Sequence, residues 1–121
     1  MGLLKATSLL LLAGCLLAQV PLQQRMDEWK ALEISLRGAK SIRPKNGFVP
    51  DEATAARIGE AAAVAQYGEK TISEEKPFRA RLYGDVWIVH GTLHPEGVLG
   101  GTAVIKINKT DGRILFMMHQ K

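Results

Sequence analysis

The sequence predicts an α+β fold in which helices come first and a curved antiparallel sheet follows, with one long helix packed on the sheet to form a cone. Three observations predict it. Residues 51–67 carry small apolar side chains at helical spacing between Asp51 and Gly68. After Gly68 the apolar period shortens from about 3.6 to about 2. The dipeptides Gly84-Asp85 and Asp111-Gly112 then separate alternating runs, as hairpin turns separate strands.

A chain of 121 residues suits one domain. It can bury a core without disulfides or metals. Apolar residues make up 46% and charged residues 23%, an ordinary globular balance. The formal net charge of +4 falls to +3 if Lys5 leaves with a cleaved leader. That charge is small and scattered, whereas nucleic-acid binding calls for a clustered basic face. The sequence therefore argues against a nucleic-acid partner.

Residues 1–24 read as a signal peptide and tether. Met1-Gly2-Leu3-Leu4-Lys5 gives a basic start, and residues 6–17 are nearly all apolar, the layout of a secretory signal. The run is shorter than the roughly 20 residues of a membrane span. It ends in Leu12-Ala13-Gly14-Cys15, which is similar to the lipobox of bacterial lipoproteins. That motif implies cleavage before Cys15 and a membrane anchor through lipid on its thiol. Small Ala13 and Gly14 suit a narrow peptidase site, and the thiol is the nucleophile that accepts lipid. An ordinary signal peptide cut near Ala18 and a retained anchor stay open as alternatives, and apolar Leu16 and Leu17 count against the lipoprotein form. Ala6 stands where myristoylation of Gly2 would want Ser or Thr. The expected location is the periplasm of a bacterium, or its membrane surface as an anchored lipoprotein.

Residues 25–46 are expected to form a short amphipathic helix and a linker, after a tether that reaches Arg25. Trp29, Leu32 and Leu36 recur at helical spacing, and Gly38 suits a C-terminal stop. Such a stripe is expected to pack on the domain rather than on a membrane. Pro44 and Gly47 then break regular structure.

Residues 47–121 form the predicted α+β domain. Asp51 is the expected N-cap of the main helix, Gly68 its stop, and Ala55, Ile58, Ala62 and Ala65 its buried side. Residues 70–73 are expected as a short strand and residues 74–77 as a charged turn. In 78–83, Phe78, Ala80 and Leu82 point in while Arg79, Arg81 and Tyr83 point out. Residues 84–93 read as the central strand, about 30 Å long and covered on much of both faces. Residues 94–101 are a loop, 102–108 a strand with Ala103, Ile105 and Ile107 on one face, and 113–119 the closing strand. The result is a cone or a cystatin-like grip of four or five strands.

The residues reveal no evident reaction. The inward positions Phe78, Ala80, Leu82, Trp87, Val89, Leu93, Ala103, Ile105 and Ile107 cannot transfer a proton. Tyr67 and His90 are the polar groups expected near the cavity, and Tyr67 is expected to pack at the helix end. His90 and His94 straddle a strand end and a loop, so their spacing sets no metal geometry. The glycines of 97–101 precede no Lys-Ser or helix start, which favours a turn over a phosphate loop. No catalytic residue, metal or cofactor is expected. Arg79, Arg81 and Tyr83, with Lys106 beside them, form the most interaction-like surface and the candidate partner-binding site.

A resemblance adds a family. Gly47-Phe48-Val49-Pro50-Asp51, Tyr67-Gly68-Glu69-Lys70 and Pro77-Phe78 begin it. It continues through Gly84-Asp85-Val86-Trp87-Ile88-Val89, Gly91-Thr92-Leu93, Gly100-Gly101, Asp111-Gly112-Arg113-Ile114-Leu115 and His119. Over residues 47–121 the chain resembles a bacterial family of immunity proteins with a nuclear-transport-factor-2-like fold. Gly59 sits where the family leads one to expect Ala. The resemblance implies a non-enzymatic protein that neutralises a toxin by direct binding, and the leader would place that binding at the cell envelope. The alternative is an envelope domain that holds a small ligand in its cone.

Overall fold

The structure is a computed structural model that describes residues 20–94 and 101–121. The chain divides at Ser41, with a second unit from Ile42 to Lys121. The leader, Cys15 and residues 95–100 of the expected loop lie outside the described residues.

In the first unit, helix α1 runs Leu22–Leu36. It starts four residues earlier than the spacing of Trp29, Leu32 and Leu36 implied, so the expected tether ends at Pro21. Proline has its φ preset for a helix start, and the Pro21 carbonyl accepts the Arg25 N–H at 3.2 Å. Gly38 takes φ 78°, the expected stop. No α1 residue is buried, and Trp29 is 70% exposed.

The second unit starts from the expected helix. Helix α2 spans Glu52–Tyr67, and the Asp51 carboxylate accepts the Thr54 N–H at 2.8 Å. Gly68, at φ 89°, ends it. The buried stripe is Ala55, Gly59 and Ala63, while Ala62 is half-buried and Ala65 exposed. An Ala-rich helix has small apolar side chains all round, so the sheet and not the pattern selects the buried face.

Residues 70–73 are helical, not a strand. Helix α3 (Glu69–Ser73) follows Gly68 directly. Its single turn drives Ile72 fully into the core and leaves Thr71 and Ser73 exposed. A two-residue period read from so few residues cannot tell these outcomes apart.

Four strands follow among the described residues: β1 Arg79–Tyr83, β2 Val86–His90, β3 Ala103–Asn108 and β4 Ile114–His119. They pair antiparallel in the order β1-β2-β3-β4, which is the expected α+β architecture. Tyr83 opposite Val86 leaves Gly84-Asp85 as a two-residue turn, with Gly84 at φ 59°. The central strand is shorter than expected because the chain is drawn off the ladder after Gly91. Thr92 donates its N–H to the Glu75 carbonyl at 2.7 Å and its hydroxyl to the Pro77 carbonyl at 2.6 Å.

The core lies between α2 and one sheet face. Phe78, Trp87, Val89, Ala103, Ile105 and Ile107 are buried there, as expected. Leu93 is half-buried, and Leu82, near the sheet edge, is 38% exposed. Trp87 Nε1 donates to the Val49 carbonyl at 2.8 Å, tying the segment before α2 to the central strand. The other face of β2 is not covered as expected: Val86 and Ile88 are half-buried and His90 is exposed.

Candidate protein-binding face

The tight Gly84-Asp85 turn sets the register that builds this face. Arg81 lies opposite Ile88, Ile88 opposite Lys106, and Lys106 opposite Phe116. A second row runs Arg79, His90, Val104, Met118. Side chains alternate along a strand, so both rows and Tyr83 share the sheet face turned away from α2. The three residues expected as a binding site are therefore brought together. With Ile88, His90 and Glu52 they line an open groove of about 510 Å³.

The two arginines differ in a way the sequence did not reveal. Arg79 Nε donates to Glu52 Oε1 at 2.9 Å, joining β1 to the first turn of α2. The Arg79 guanidinium holds the Glu52 carboxyl below its ordinary value. Arg81 is exposed and its charge also acts on the Glu52 carboxyl, but no hydrogen bond fixes its guanidinium there, and Tyr83 is 57% exposed. Lys106 Nζ sits 5.4 Å from the Phe116 ring centroid, a cation–π distance. The face thus combines an exposed guanidinium, a phenol and an apolar floor, the side-chain types that anchor protein interfaces.

Ile88, His90 and Phe116 were missed as members of this face. The signal was present in the two-residue turn, which fixes which β2 residue stands beside each β1 residue.

A second polar cluster contradicts the expectation that no acid faces inward. Glu75, expected in a solvated turn, is only 7% exposed. Its Oε1 accepts the Ala103 N–H at 2.7 Å, and its Oε2 lies 3.0 Å from His119 Nε2. The His119 ring meets Tyr67 edge-on with centroids 5.3 Å apart. The carboxylate satisfies a backbone donor and an imidazole at once, so the pair ties the α3–β1 turn to the start of β3 and the end of β4. Tyr67 packs at the helix end as expected, whereas His90 faces the outer groove. His90 Nδ1 lies 2.7 Å from the Gly91 carbonyl, and His94 Nε2 lies 2.6 Å from that of Lys76. Among the described residues, no group of three or more His, Cys, Asp or Glu side chains could hold a metal ion.

Comparison with known proteins places this geometry in a family. The chain is 37% identical over 74 residues to the uncharacterized protein YhhH of Escherichia coli (strain K12), covering 61% of this chain and 58% of that protein. It is 37% identical over 73 residues to the uncharacterized protein YbbC of the same organism, covering 60% of each. The chain therefore spans less than two thirds of the length of these relatives. No solved structure matches it at a significant level. A family model described as NTF2 fold immunity protein matches residues 54–121, from the first turn of α2 to the end of the chain. The chain belongs to the NTF2 fold immunity protein family.

Proposed function

We propose that this protein neutralises a toxin by direct binding through the outer sheet face around Arg81, and performs no reaction. The observation that carries this reading is the convergence of Arg81, Tyr83, Ile88 and His90 on one uncovered groove. Family membership supports a toxin as the partner class. The groove has exposed polar and aromatic groups but also an apolar floor, so a partner can bury contact area there while Arg81 meets a carboxylate. The ligand-holding alternative draws no support from the core. A Cβ added at Gly59 would stand 2.6 Å from Val89 Cγ1, so α2 and β2 touch at that point.

Binding takes place at the bacterial envelope in this proposal. Lys5, the apolar run and Leu12-Ala13-Gly14-Cys15 support export and lipid attachment at Cys15. Expressed in a bacterium, the chain should take up labelled palmitate, and Cys15→Ala should abolish the label. Unlabelled protein in the soluble periplasm would favour ordinary secretion.

The function is tested by capturing a protein from the native organism with the tagged chain. The captured protein is then expressed in cells with and without the chain. The chain should suppress its toxicity, and Arg81→Glu should weaken the complex by about 2 kcal/mol or more. Arg81 is the cleaner probe, because Arg79→Glu would also set two carboxylates together at the start of α2. Undiminished binding by Arg81→Glu and Tyr83→Ala would remove this face from the proposal.

A further inference from the structure

The two edges of the sheet are built differently. Edge strand β1 carries Arg79 and Arg81, and Glu52 lies against it. Charges of this kind discourage strand-to-strand pairing. Edge strand β4 reads Ile-Leu-Phe-Met-Met-His, with no proline, lysine, arginine or carboxylate. Ile114, Leu115, Phe116 and Met118 are 44%, 43%, 43% and 42% exposed. The apolar surface wraps the edge. Phe116 and Met118 lie on the outer face, while Ile114 and Met117 line a shallow cleft of about 600 Å³ with Ala62, Ala65 and Tyr67. This is the least protected kind of edge, and the large side chains it exposes, Ile114, Leu115, Phe116 and Met118, are apolar, which suits a copy of itself.

We propose that two copies of the chain pair β4 to β4, antiparallel about a two-fold axis at Met117, to make one continuous sheet. The ladder selects this register. The Gln120 N–H donates to the Thr102 carbonyl at 3.0 Å. Bonding alternates along an antiparallel pair, so Phe116 and Met118 bond to β3, while the N–H and C=O of Met117 and His119 point off the edge. An axis at His119 would bring two imidazoles together. An axis at Leu115 would fall on the irregularity that sets Ile114 opposite Ile107 and Phe116 opposite Lys106. An axis at Met117 avoids both. It places Met117 beside Met117 and Phe116 of each copy beside Met118 of the other, with Leu115 beside His119. The groove around Arg81 lies at the opposite edge and does not include Phe116, so it stays open and this inference does not depend on the proposed function.

Three versions of the full chain test it, with Cys15→Ser in the background of the cysteine variants. In analytical ultracentrifugation the parent should sediment at twice its 13.2 kDa. Phe116→Glu/Met118→Glu should sediment at the single-chain mass with the parent's circular dichroism, since the axis sets these carboxylates against each other. Met117→Cys should form a disulfide between copies under mild oxidation, because directly bonded antiparallel partners have Cα atoms about 5.5 Å apart, within disulfide reach. Arg81→Cys, on the other edge, should not. A single-chain mass for the parent overturns the proposal, as does a dimer that survives the double glutamate change. Should that variant fail to fold, the Met117→Cys result decides: a dimer that yields no disulfide overturns the register and with it the proposal.

Discussion

His119 is held between two acceptors: its Nε2 lies 3.0 Å from Glu75 Oε2 and its Nδ1 2.7 Å from the Gln120 carbonyl oxygen. Neither an ionised carboxylate nor a carbonyl can donate a proton. Both contacts are hydrogen bonds only when both ring nitrogens carry hydrogen, which describes the imidazolium. The Glu75 hydrogen bond is the main cause that raises the His119 pKa above its ordinary 6.5, with burial opposing it.

The pH dependence follows from that direction. A group whose pKa is higher in the folded state than in the unfolded state stabilises the fold fully below its unfolded value and loses this contribution as pH rises through the folded value. Thermal melts of the parent should therefore lose stability as pH climbs from below 6.5. His119→Gln, which lacks the titrating group, should show a shallower dependence over the same range. Parallel melting curves for the two proteins across that range would rule the pair out as the source.

Glu75 matters for more than its charge, because Ala103 is fully buried and donates its N–H to that carboxylate. Glu75→Ala would leave a buried donor unpaired and should cost about 2–3 kcal/mol in urea unfolding. Glu75→Gln keeps an acceptor for Ala103 and should cost less. Equal losses for the two variants would contradict the backbone role.

Gly59 lets α2 touch β2. A Cβ there would fall 2.6 Å from Val89 Cγ1. Gly59→Ala gains up to about 1 kcal/mol of helix propensity, but overpacking a closed core costs about 1–3 kcal/mol. The net expectation is a destabilised protein, even though Ala is what the family resemblance leads one to expect here. Val89→Ala in the Gly59→Ala background should cost less than Val89→Ala alone, since it relieves the clash. A Gly59→Ala variant that melts above the parent would show that the helix lifts away freely.

Trp87 is 7% exposed and donates to the Val49 carbonyl. Trp87→Ala should cost about 3–5 kcal/mol. Trp87→Phe keeps most of the packing and loses that hydrogen bond, so about 1–2 kcal/mol is expected. A melting curve for Trp87→Ala that overlays the parent would dismiss this residue as the centre of the core.

The parts of this protein legible in its sequence are those whose causes lie within a few residues. Asp51 caps α2 through Thr54, Gly68 stops it at positive φ, and Gly84-Asp85 closes β1 on β2. Each depends on local backbone geometry, and the outward trio Arg79, Arg81 and Tyr83 follows from strand alternation alone. The rest was decided by contacts far apart in the chain. Glu75 meets His119 across 44 positions and Arg79 meets Glu52 across 27, and no local pattern announces either. Ile72 became helical because the core could take its side chain, and Gly59 became buried because Val89 stood opposite. An alanine-rich helix offers several nearly equal faces, and a four-residue segment offers two nearly equal periods. Only the free energy of packing the whole domain separates such alternatives.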